Sequence, residues 1–308
     1  MIPCRDYGQY LNDAIESVLR QDDLDSDAEI IIVDDYSSDA ATLGQFSYWK
    51  SANPRVQVIH NTGTSGTASA RNLGIARASG EWIAFLDADD VWIPGSLQTR
   101  WRVVQTCPDA QWLGADFKRW HENGSIDPQG FFETQSLTRQ LLHNAYESGA
   151  VVRLPKPVRE FLQVSLGWTS TVIAKRSLLL QAGGFEPTLG NYEDHHLWIR
   201  LARLADFYFV PQVVALYRQH AISVSRRDVP PASWYIGAMG MLWRDPDFRA
   251  HRPLIRKKLA SLFEQNMYYH RARGETKLAV TAAAHALFHG LSCRRHWRNL
   301  VASVARYE

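Results

Sequence analysis

The chain has 308 residues, 45% hydrophobic and 21% charged, so it can bury a large core in one or two domains. Its formal net charge of +2 gives no reason to expect a nucleic-acid-binding protein. Three widely separated cysteines, Cys4, Cys107 and Cys293, argue against a disulfide framework or a zinc cluster and favour a reducing cytoplasm. No apolar run reaches membrane-spanning length, and the first residues lack the features of a signal peptide.

The first segments alternate between strand and helix patterns. Pro3 follows only two residues, so we expect a first strand that is cut short. Apolar residues recur at helical spacing over residues 10–19, which predicts an amphipathic helix. Residues 29–33 form a β-branched run typical of a buried strand, and residues 55–59 alternate as a further strand. This alternation predicts a doubly wound α/β sheet.

Polar turns follow two of these strands. Asp34 and Asp35 come directly after residues 29–33, and residues 61–67 contain two glycines that let backbone approach a ligand closely. Doubly wound sheets bind ligands at the carboxyl ends of their strands, so both turns fall where a ligand would lie. Arg71 follows in an early turn of the next predicted helix, where a plain surface charge is the alternative interpretation.

A second acidic cluster follows the apolar run at residues 81–86. Asp87, Asp89 and Asp90 lie within four residues, and clustered carboxylates must face water or a cation. Carboxylate oxygens suit Mg2+ or Mn2+, and Mg2+ commonly keeps positions open for water and substrate phosphates. The alternative is a solvated acidic turn that caps the helix predicted at residues 96–105.

The middle of the chain is less regular. A strand is predicted at residues 111–117, whereas residues 121–165 show poor periodicity around one short helix at residues 137–146. We interpret that stretch as the variable, acceptor-binding side. Residues 167–173 have a strand pattern, residues 175–181 a helix pattern, and residues 206–214 a strand pattern.

The C-terminal part has a helical pattern. Helices are predicted at residues 233–243, 253–273 and 275–305. Three arginines, Arg294, Arg295 and Arg298, lie in the last of them, and Arg306 directly follows it. A solvated helical face is the favoured interpretation, and peripheral contact with an anionic membrane is the alternative.

Five motifs, in this order, resemble family 2 glycosyltransferases of the GT-A fold. The motifs are Pro3-Cys4, residues 33–39, residues 70–75, residues 80–90, and Gly183-Gly184-Phe185 with Glu193-Asp194. The resemblance covers about residues 1–225. It implies an α/β fold with a GT-A doubly wound, mostly parallel central sheet flanked by helices and a helical C-terminal extension.

The same resemblance implies a division of the chain. We expect a GT-A domain at residues 1–228, with a nucleotide-sugar-binding half at 1–120 and an acceptor-binding half at 121–228. A helical extension would follow at residues 229–308.

The resemblance also implies roles for single residues. Five residues would contact the nucleotide of the donor: Pro3, Asp34, Asp35, Arg71 and Asp87. Asp89 would bind Mn2+ or Mg2+, and His220 would be a second metal ligand or a phosphate contact, although a lone histidine is more commonly a packing residue. Arg218 and Arg226 would be further phosphate partners.

The general base of the family corresponds to the Glu193-Asp194 pair. Asp194 is the expected base, with Glu193 beside it, and it would take a proton from the acceptor hydroxyl. Attack from the face opposite the leaving diphosphate would invert the anomeric configuration. Acidic residues in a first helical turn are also common because they complement the helix dipole.

The resulting hypothesis is a cytoplasmic, inverting, metal-dependent glycosyltransferase, in the cytosol or peripheral at the inner membrane face. It would transfer a hexosyl or N-acetylhexosaminyl group from a nucleotide-diphospho-sugar, with UDP favoured by analogy. The acceptor would be a glycan or a lipid-linked molecule in surface polysaccharide or glycoconjugate synthesis. A sugar-1-phosphate nucleotidyltransferase is the first alternative, but residues 3–6 lack the glycine-rich phosphate loop that it needs. The second is a non-catalytic carbohydrate-binding scaffold on the same fold.

Overall fold

The computed structural model describes residues 1–22, 28–221, 230 and 232–290. The chain forms two compact units. The first consists of Met1–Thr188 with Leu197–Ile222, and the second of Leu189–His196 with Ser223–Glu308. The described part of the first unit is α/β, and that of the second is helical.

The described strands all lie in the first unit. They are β1 (Ile2–Cys4), β2 (Ile30–Asp34), β3 (Val56–His60), β4 (Trp82–Ala84), β5 (Val91–Trp92), β6 (Trp112–Trp120), β7 (Val152–Leu154), β8 (Ile173–Lys175) and β9 (Phe207–Arg218).

The helices before the C-terminal part are mostly short. They are α1 (Gly8–Leu19), α2 (Ala40–Ala52), α3 (Thr67–Arg77), α4 (Ser96–Thr106), α5 (Phe131–Thr134), α6 (Ser136–Leu141), α7 (His143–Ser148), α8 (Val158–Gln163), α9 (Arg176–Gln181) and α10 (Glu193–Leu204).

A three-stranded parallel sheet with the order β1-β2-β3 begins the first unit. Its middle strand is buried along its whole length, as the β-branched run predicts for a strand covered on both faces. Ile32 pairs with Ile2 on one side and with Val58 on the other. The strands predicted at residues 29–33 and 55–59 are confirmed with a shift of one residue.

A second, mixed sheet has the order β4-β8-β6-β9-β5, with β7 paired to β9. Among the strand pairs that the described residues form in this sheet, only β6 and β9 run parallel. The parallel pattern expected from the sequence therefore describes β1 to β3, whereas β4 pairs antiparallel with β8. Backbone hydrogen bonds join the sheets where Leu86 N donates to Met1 O at 3.1 Å and the Met1 amino group donates to Ala84 O at 2.8 Å.

Helix α1 packs closely against α2 at one glycine. A Cβ atom on Gly8 would lie 2.3 Å from the backbone nitrogen of Thr42, so only glycine fits here. The Gly8 N–H donates to the Thr42 hydroxyl at 2.7 Å. The predicted helical face of α1 is confirmed, because Leu11, Ile15 and Val18 are buried.

The prediction of a strand at residues 167–173 is wrong over most of its length. Residues Thr169–Thr171 form a single 3₁₀ turn, and β8 begins only at Ile173. The Thr171 hydroxyl donates to Trp168 O at 2.8 Å, and such local bonds compete with sheet pairing.

The stretch at residues 121–165 is more ordered than its poor periodicity indicates, because a buried carboxylate anchors it. Asp116 on β6 accepts hydrogen bonds from Phe132 N at 2.9 Å, Glu133 N at 3.2 Å and the Tyr146 hydroxyl at 2.7 Å. Burial raises the pKa of Asp116, and these donors oppose that shift. One acidic side chain thus holds α5 and α7 against the sheet.

The second unit contains α11 (Ser233–Arg244), a 3₁₀ segment (Pro246–His251), α12 (Arg252–Ala272) and α13 (Thr276–His289). Small residues on α13 pack against α12 around Met267, with Ala279, Ala282 and Ala283 in the same cluster. The helices predicted at residues 233–243 and 253–273 are confirmed. The third is confirmed as far as His289. Its remainder lies outside the described residues, as do the four arginines, Arg226 and Cys293. Within the described part of the chain, no helix combines the length and the apolar character needed to cross a membrane.

Candidate active site

Asp34 ends β2 and is largely buried, with 6% of its surface exposed. Its Oδ1 accepts a hydrogen bond from Ser37 N at 2.8 Å, and its Oδ2 lies 2.9 Å from Nδ1 of His60 at the end of β3. The carboxyl ends of two neighbouring parallel strands are thereby joined through side chains.

Asp35 organises the glycine-containing loop that follows β3. Asn61 Nδ2 donates to Asp35 Oδ1 at 2.7 Å, and the Gly66 N–H donates to Oδ2 at 2.8 Å. The Ser65 hydroxyl donates to the same Oδ2 at 3.1 Å. Gly66 has φ = +146°, a conformation that other residues rarely adopt. The predicted acidic turn and the predicted glycine loop therefore form one hydrogen-bonded edge.

Three further residues border this edge. Pro3 is buried in the middle of β1, where it pairs with Val33. The sequence interpretation missed Tyr36, which is 48% exposed, has φ = +63° and donates from its hydroxyl to Gly63 O at 2.8 Å. It also missed Arg5, whose Nη1 donates to the Ser65 hydroxyl at 2.8 Å. An aromatic or cationic residue beside an acidic turn was the signal that could have identified them.

Arg71 and Asp87 form an ion pair between α3 and the acidic cluster. Arg71 Nη2 lies 2.6 Å from Asp87 Oδ1, with side-chain exposures of 4% and 25%. The Arg71 guanidinium also lies 5.2 Å from the centre of the Phe185 ring. A nearly buried cation needs such partners, so the interpretation of Arg71 as a plain surface charge is wrong.

We expect the variant Arg71→Ala to lower the free energy of unfolding by about 2–4 kcal/mol, because it removes the cation that lies 2.6 Å from Asp87 and also removes buried packing. Urea denaturation followed by circular dichroism measures this change. Arg77→Ala is the matched control, since Arg77 is exposed on the same helix and should change the stability by under about 0.5 kcal/mol. Equal effects of the two substitutions would contradict a structural role for the Arg71–Asp87 pair.

Asp89 lies beside His220, although 131 positions separate them in the sequence. His220 Nε2 is 2.9 Å from Asp89 Oδ2, and the two side chains are 6% and 14% exposed. The His220 ring packs against Tyr10 at 4.6 Å and Tyr7 at 5.6 Å between ring centres. The structure therefore brings together the two residues predicted to bind a metal.

Arg218 fixes the backbone of the acidic cluster. Its Nε donates to Asp89 O at 2.9 Å, and its Nη2 lies 2.7 Å from Asp13 Oδ2. The guanidinium also stacks over Trp120 at 3.9 Å and over Tyr10 at 4.9 Å from the ring centres. With these contacts, Arg218 positions the main chain at Asp89.

Asp90 faces the protein interior, unlike its two acidic neighbours. Its Oδ2 accepts from the Ser170 hydroxyl at 2.5 Å, and its Oδ1 accepts from Arg218 N at 3.1 Å. Burial raises the pKa of Asp90 well above its usual range, and the charges of Asp89 and Asp87 raise it further. Asp90 thus anchors the cluster, while Asp87 and Asp89 keep partial exposure.

The residues at this edge are compatible with a divalent cation that a substrate helps to bind. Among the described residues, no group of three or more His, Cys, Asp or Glu side chains could hold a metal alone. Asp89 and His220 offer one oxygen and one nitrogen donor, a set that Mn2+ accepts readily and Mg2+ accepts through the carboxylate. Diphosphate oxygens and water would have to supply the remaining ligands.

Glu193 and Asp194 form the first turn of α10. Asp194 Oδ1 accepts a hydrogen bond from His195 N at 2.6 Å, and Tyr192 just before the pair has φ = +62°. The pKa of Tyr192 is raised by burial and, to a smaller extent, by the charge of Asp194. The pair therefore occupies the helical turn that the sequence predicts.

Comparison with known proteins adds a family and a fold. Residues 1–153 match the model of glycosyl transferase family 2. One curated relative is an Escherichia coli UDP-Glc:alpha-D-GlcNAc-diphosphoundecaprenol beta-1,3-glucosyltransferase, 38% identical over 85 residues, which are 28% of this chain and 32% of that protein. Relatives from Nostoc, Haemophilus influenzae and Streptococcus pneumoniae are likewise matched over only 30%, 58% and 34% of their own lengths.

Two solved structures show the same fold. S. aureus TarS 1-349 in complex with UDP-GlcNAc superimposes with a TM-score of 0.66 at 17% identity, covering 99% of this chain and 86% of that one. A mannosyltransferase from Pyrobaculum calidifontis in complex with GDP-Man and Mn2+ gives a TM-score of 0.55 at 18% identity, covering 99% and 84%. The expected GT-A α/β fold is thereby confirmed. Through residues 1–153 the chain belongs to glycosyl transferase family 2.

Proposed function

We propose that this protein is an inverting, metal-dependent glycosyltransferase that moves a hexosyl or N-acetylhexosaminyl group from a nucleotide-diphospho-sugar to an acceptor hydroxyl. The observation that carries the proposal is the contact of 2.9 Å between Asp89 and His220. A carboxylate and an imidazole from distant parts of the chain meet beside a second, partly exposed acid, Asp87. Family membership supports the choice of glycosyl transfer over other metal-assisted reactions.

Donor binding is assigned to the edge formed by the acidic turns and the glycine loop. Asp34, Asp35 and Pro3 would border the nucleotide at the carboxyl ends of β1 and β2, where open α/β sheets bind ligands. The Arg71–Asp87 pair would present the partly exposed carboxylate of Asp87 to the ribose hydroxyls, because Arg71 holds that carboxylate in a fixed orientation.

Asp89 and His220 would hold Mn2+ or Mg2+ together with the donor diphosphate. A bound divalent cation offsets the negative charge that develops on a leaving nucleoside diphosphate. The contribution of the chain is orientation. Arg218 fixes the backbone at Asp89, and the Tyr10 ring packs against both the Arg218 guanidinium and the His220 ring.

Asp194 would act as the general base. The acceptor oxygen forms a bond to the anomeric carbon while the bond from that carbon to the diphosphate oxygen breaks, and Asp194 takes the hydroxyl proton. Attack opposite the leaving group inverts the configuration. A carboxylate suits this role because one of its oxygens can accept the hydroxyl proton as the acceptor oxygen attacks.

The acceptor would be a glycan or a lipid-linked saccharide, in the synthesis of a surface polysaccharide or glycoconjugate on the cytoplasmic side of the membrane. The named activity of the Escherichia coli relative supports this choice, because its acceptor is a saccharide on a lipid diphosphate. UDP is the proposed nucleotide, supported by the UDP-GlcNAc complex of the similar fold.

A panel of nucleotide sugars tests the proposal. Purified protein is incubated with UDP-, GDP- and dTDP-sugars, with Mn2+ or with a chelator, and release of the nucleoside diphosphate is measured. UDP and GDP binding is followed in parallel by calorimetry. We expect one nucleotide to bind only with the metal present. We expect the corresponding nucleotide sugar to release its nucleoside diphosphate only under the same condition. Absence of nucleoside diphosphate binding in both conditions would contradict the proposed function.

A further inference from the structure

The short segment that carries the proposed base belongs to the same compact unit as the C-terminal helices. Leu189–His196 precedes and opens α10, and it groups with residues from Ser223 onwards. Tyr192, directly before Glu193 and Asp194, has φ = +62°. A bulky residue seldom adopts this conformation, and it persists only where neighbouring contacts impose it.

One side chain of α11 supplies such contacts. The ring of Tyr235 stacks on Tyr192 with centres 4.7 Å apart and planes 5° apart. The same ring meets His195 at 5.1 Å. Tyr235 therefore touches the residues on both sides of the Glu193-Asp194 pair, and offset aromatic contacts of this kind have preferred geometries.

A second contact fixes the beginning of the segment. A Cβ atom on Gly190 would lie 2.7 to 3.0 Å from three atoms of the Trp234 ring, so the backbone at Gly190 rests directly on that indole. Leu189 is buried and lies 3.4 Å from the position that a Cβ atom of Gly237 would occupy. Adjacent aromatic residues of α11 thus hold both ends of the segment.

The flat face of Tyr235, rather than its hydroxyl, makes these contacts. Tyr235 is 8% exposed, and its hydroxyl has no hydrogen-bond partner among the described residues. The Lys258 ammonium lies 5.0 Å from the ring centre and adds a cation–π contact. A phenylalanine could therefore replace Tyr235 with all three ring contacts kept.

We propose that Tyr235 is a positioning residue that sets the orientation of Asp194 by stacking on Tyr192 and thereby maintaining the strained turn before α10. This inference rests on the proposed function, in which Asp194 is the general base. The stack of Tyr235 on Tyr192 would also give the C-terminal helices a role in the reaction. Small displacements of a catalytic group reduce turnover, so loss of the stack should reduce turnover even where the fold is intact.

Hydrogen exchange measured by mass spectrometry tests the contact without any assumption about activity. In the variant Tyr235→Leu, we expect amides in peptides covering residues 189–196 to exchange at least about tenfold faster, while peptides covering residues 30–60 stay unchanged. Tyr235→Phe should match the wild type. Tyr268→Leu is the matched control, because Tyr268 is a 50% exposed tyrosine on α12.

A second variant tests the same contact without depending on correct folding of Tyr235→Leu. Tyr192→Leu removes the stack from the half-buried partner and should give the same local acceleration with the core of α11 intact. Unchanged exchange of residues 189–196 in both leucine variants would overturn the proposal. Equal acceleration in Tyr235→Phe would also overturn it, because that result would assign the effect to the hydroxyl.

Turnover separates this inference from the proposed function. Tyr235→Leu should lower kcat by about tenfold and leave the Kd for UDP within about twofold of the wild type, and Tyr235→Phe should restore kcat. Asp194→Asn is measured beside them. Normal turnover in Asp194→Asn would refute the base assignment. If Asp194→Asn transfers sugar slowly and Tyr235→Leu is fully active, only the positioning role of Tyr235 is refuted.

Discussion

The variant Asp89→Asn is expected to lose Mn2+-dependent binding of UDP, with an affinity at least about 100-fold below that of the wild type. Asparagine keeps the size of the side chain but removes the negative charge that attracts a divalent cation. Calorimetric titration of UDP, with Mn2+ and with EDTA, measures the effect. The fold should persist, because the substitution is isosteric and leaves the backbone bond from Arg218 to Asp89 O in place.

The design of this experiment gives a sharper criterion than a loss of binding alone. Chelation and the substitution should act on the same interaction, so their effects should not add: wild type in EDTA and Asp89→Asn in either buffer should have similar affinities. Asp109→Asn, at an exposed position, is the matched control for the change in charge. Undiminished affinity of Asp89→Asn in Mn2+ would refute the assignment of Asp89 as a metal ligand.

The variant Asp194→Asn is expected to slow sugar transfer by about 100-fold or more while UDP binding stays within about twofold of the wild type. Asparagine cannot accept the proton of the attacking hydroxyl, but its oxygen can still accept the hydrogen bond from His195 N. Steady-state release of UDP from the donor found in the nucleotide-sugar panel gives kcat, and calorimetry gives the Kd.

Two comparisons make the result interpretable. Glu193→Gln changes the neighbouring carboxylate and should slow transfer by less than about tenfold, because Asp194 is the assigned base. Asp247→Asn is an exposed control within the same unit and should leave transfer unchanged. A larger effect of Glu193→Gln than of Asp194→Asn would move the base to Glu193. Wild-type turnover in both would remove the pair from the mechanism.

Local patterns predict those parts of the fold in which each segment specifies its own structure. The run at residues 29–33 becomes β2 because β-branched side chains fill both faces of a parallel sheet. Residues 167–173 are also rich in β-branched and aromatic side chains, yet Ser170 and Thr171 are used for hydrogen bonds to Asp90 and to the local backbone. The antiparallel pairing of β4 with β8 joins segments about 90 residues apart, and no local signal specifies it.

The candidate site likewise has some features that local sequence patterns predict and others that they do not. Acidic turns at strand ends are visible in the sequence, and the edge that contains Asp34 and Asp35 follows from the parallel sheet. Contact between Asp89 and His220 was expected only through the resemblance to a family, because spacing alone cannot pair residues 131 positions apart. The inward orientation of Asp90 depends on Ser170 and Arg218, whose positions are set by tertiary packing.

The carboxylate of Asp35 has a consequence for how fast and how tightly a small molecule can associate with this protein. By accepting bonds from Asn61, Ser65 and Gly66, it immobilises the intervening backbone before any encounter takes place. The conformational entropy of that loop has already been lost when the chain folds, so association does not lose it a second time. A donor bound at this edge, as the proposed function requires, would meet a backbone that these hydrogen bonds already hold in place.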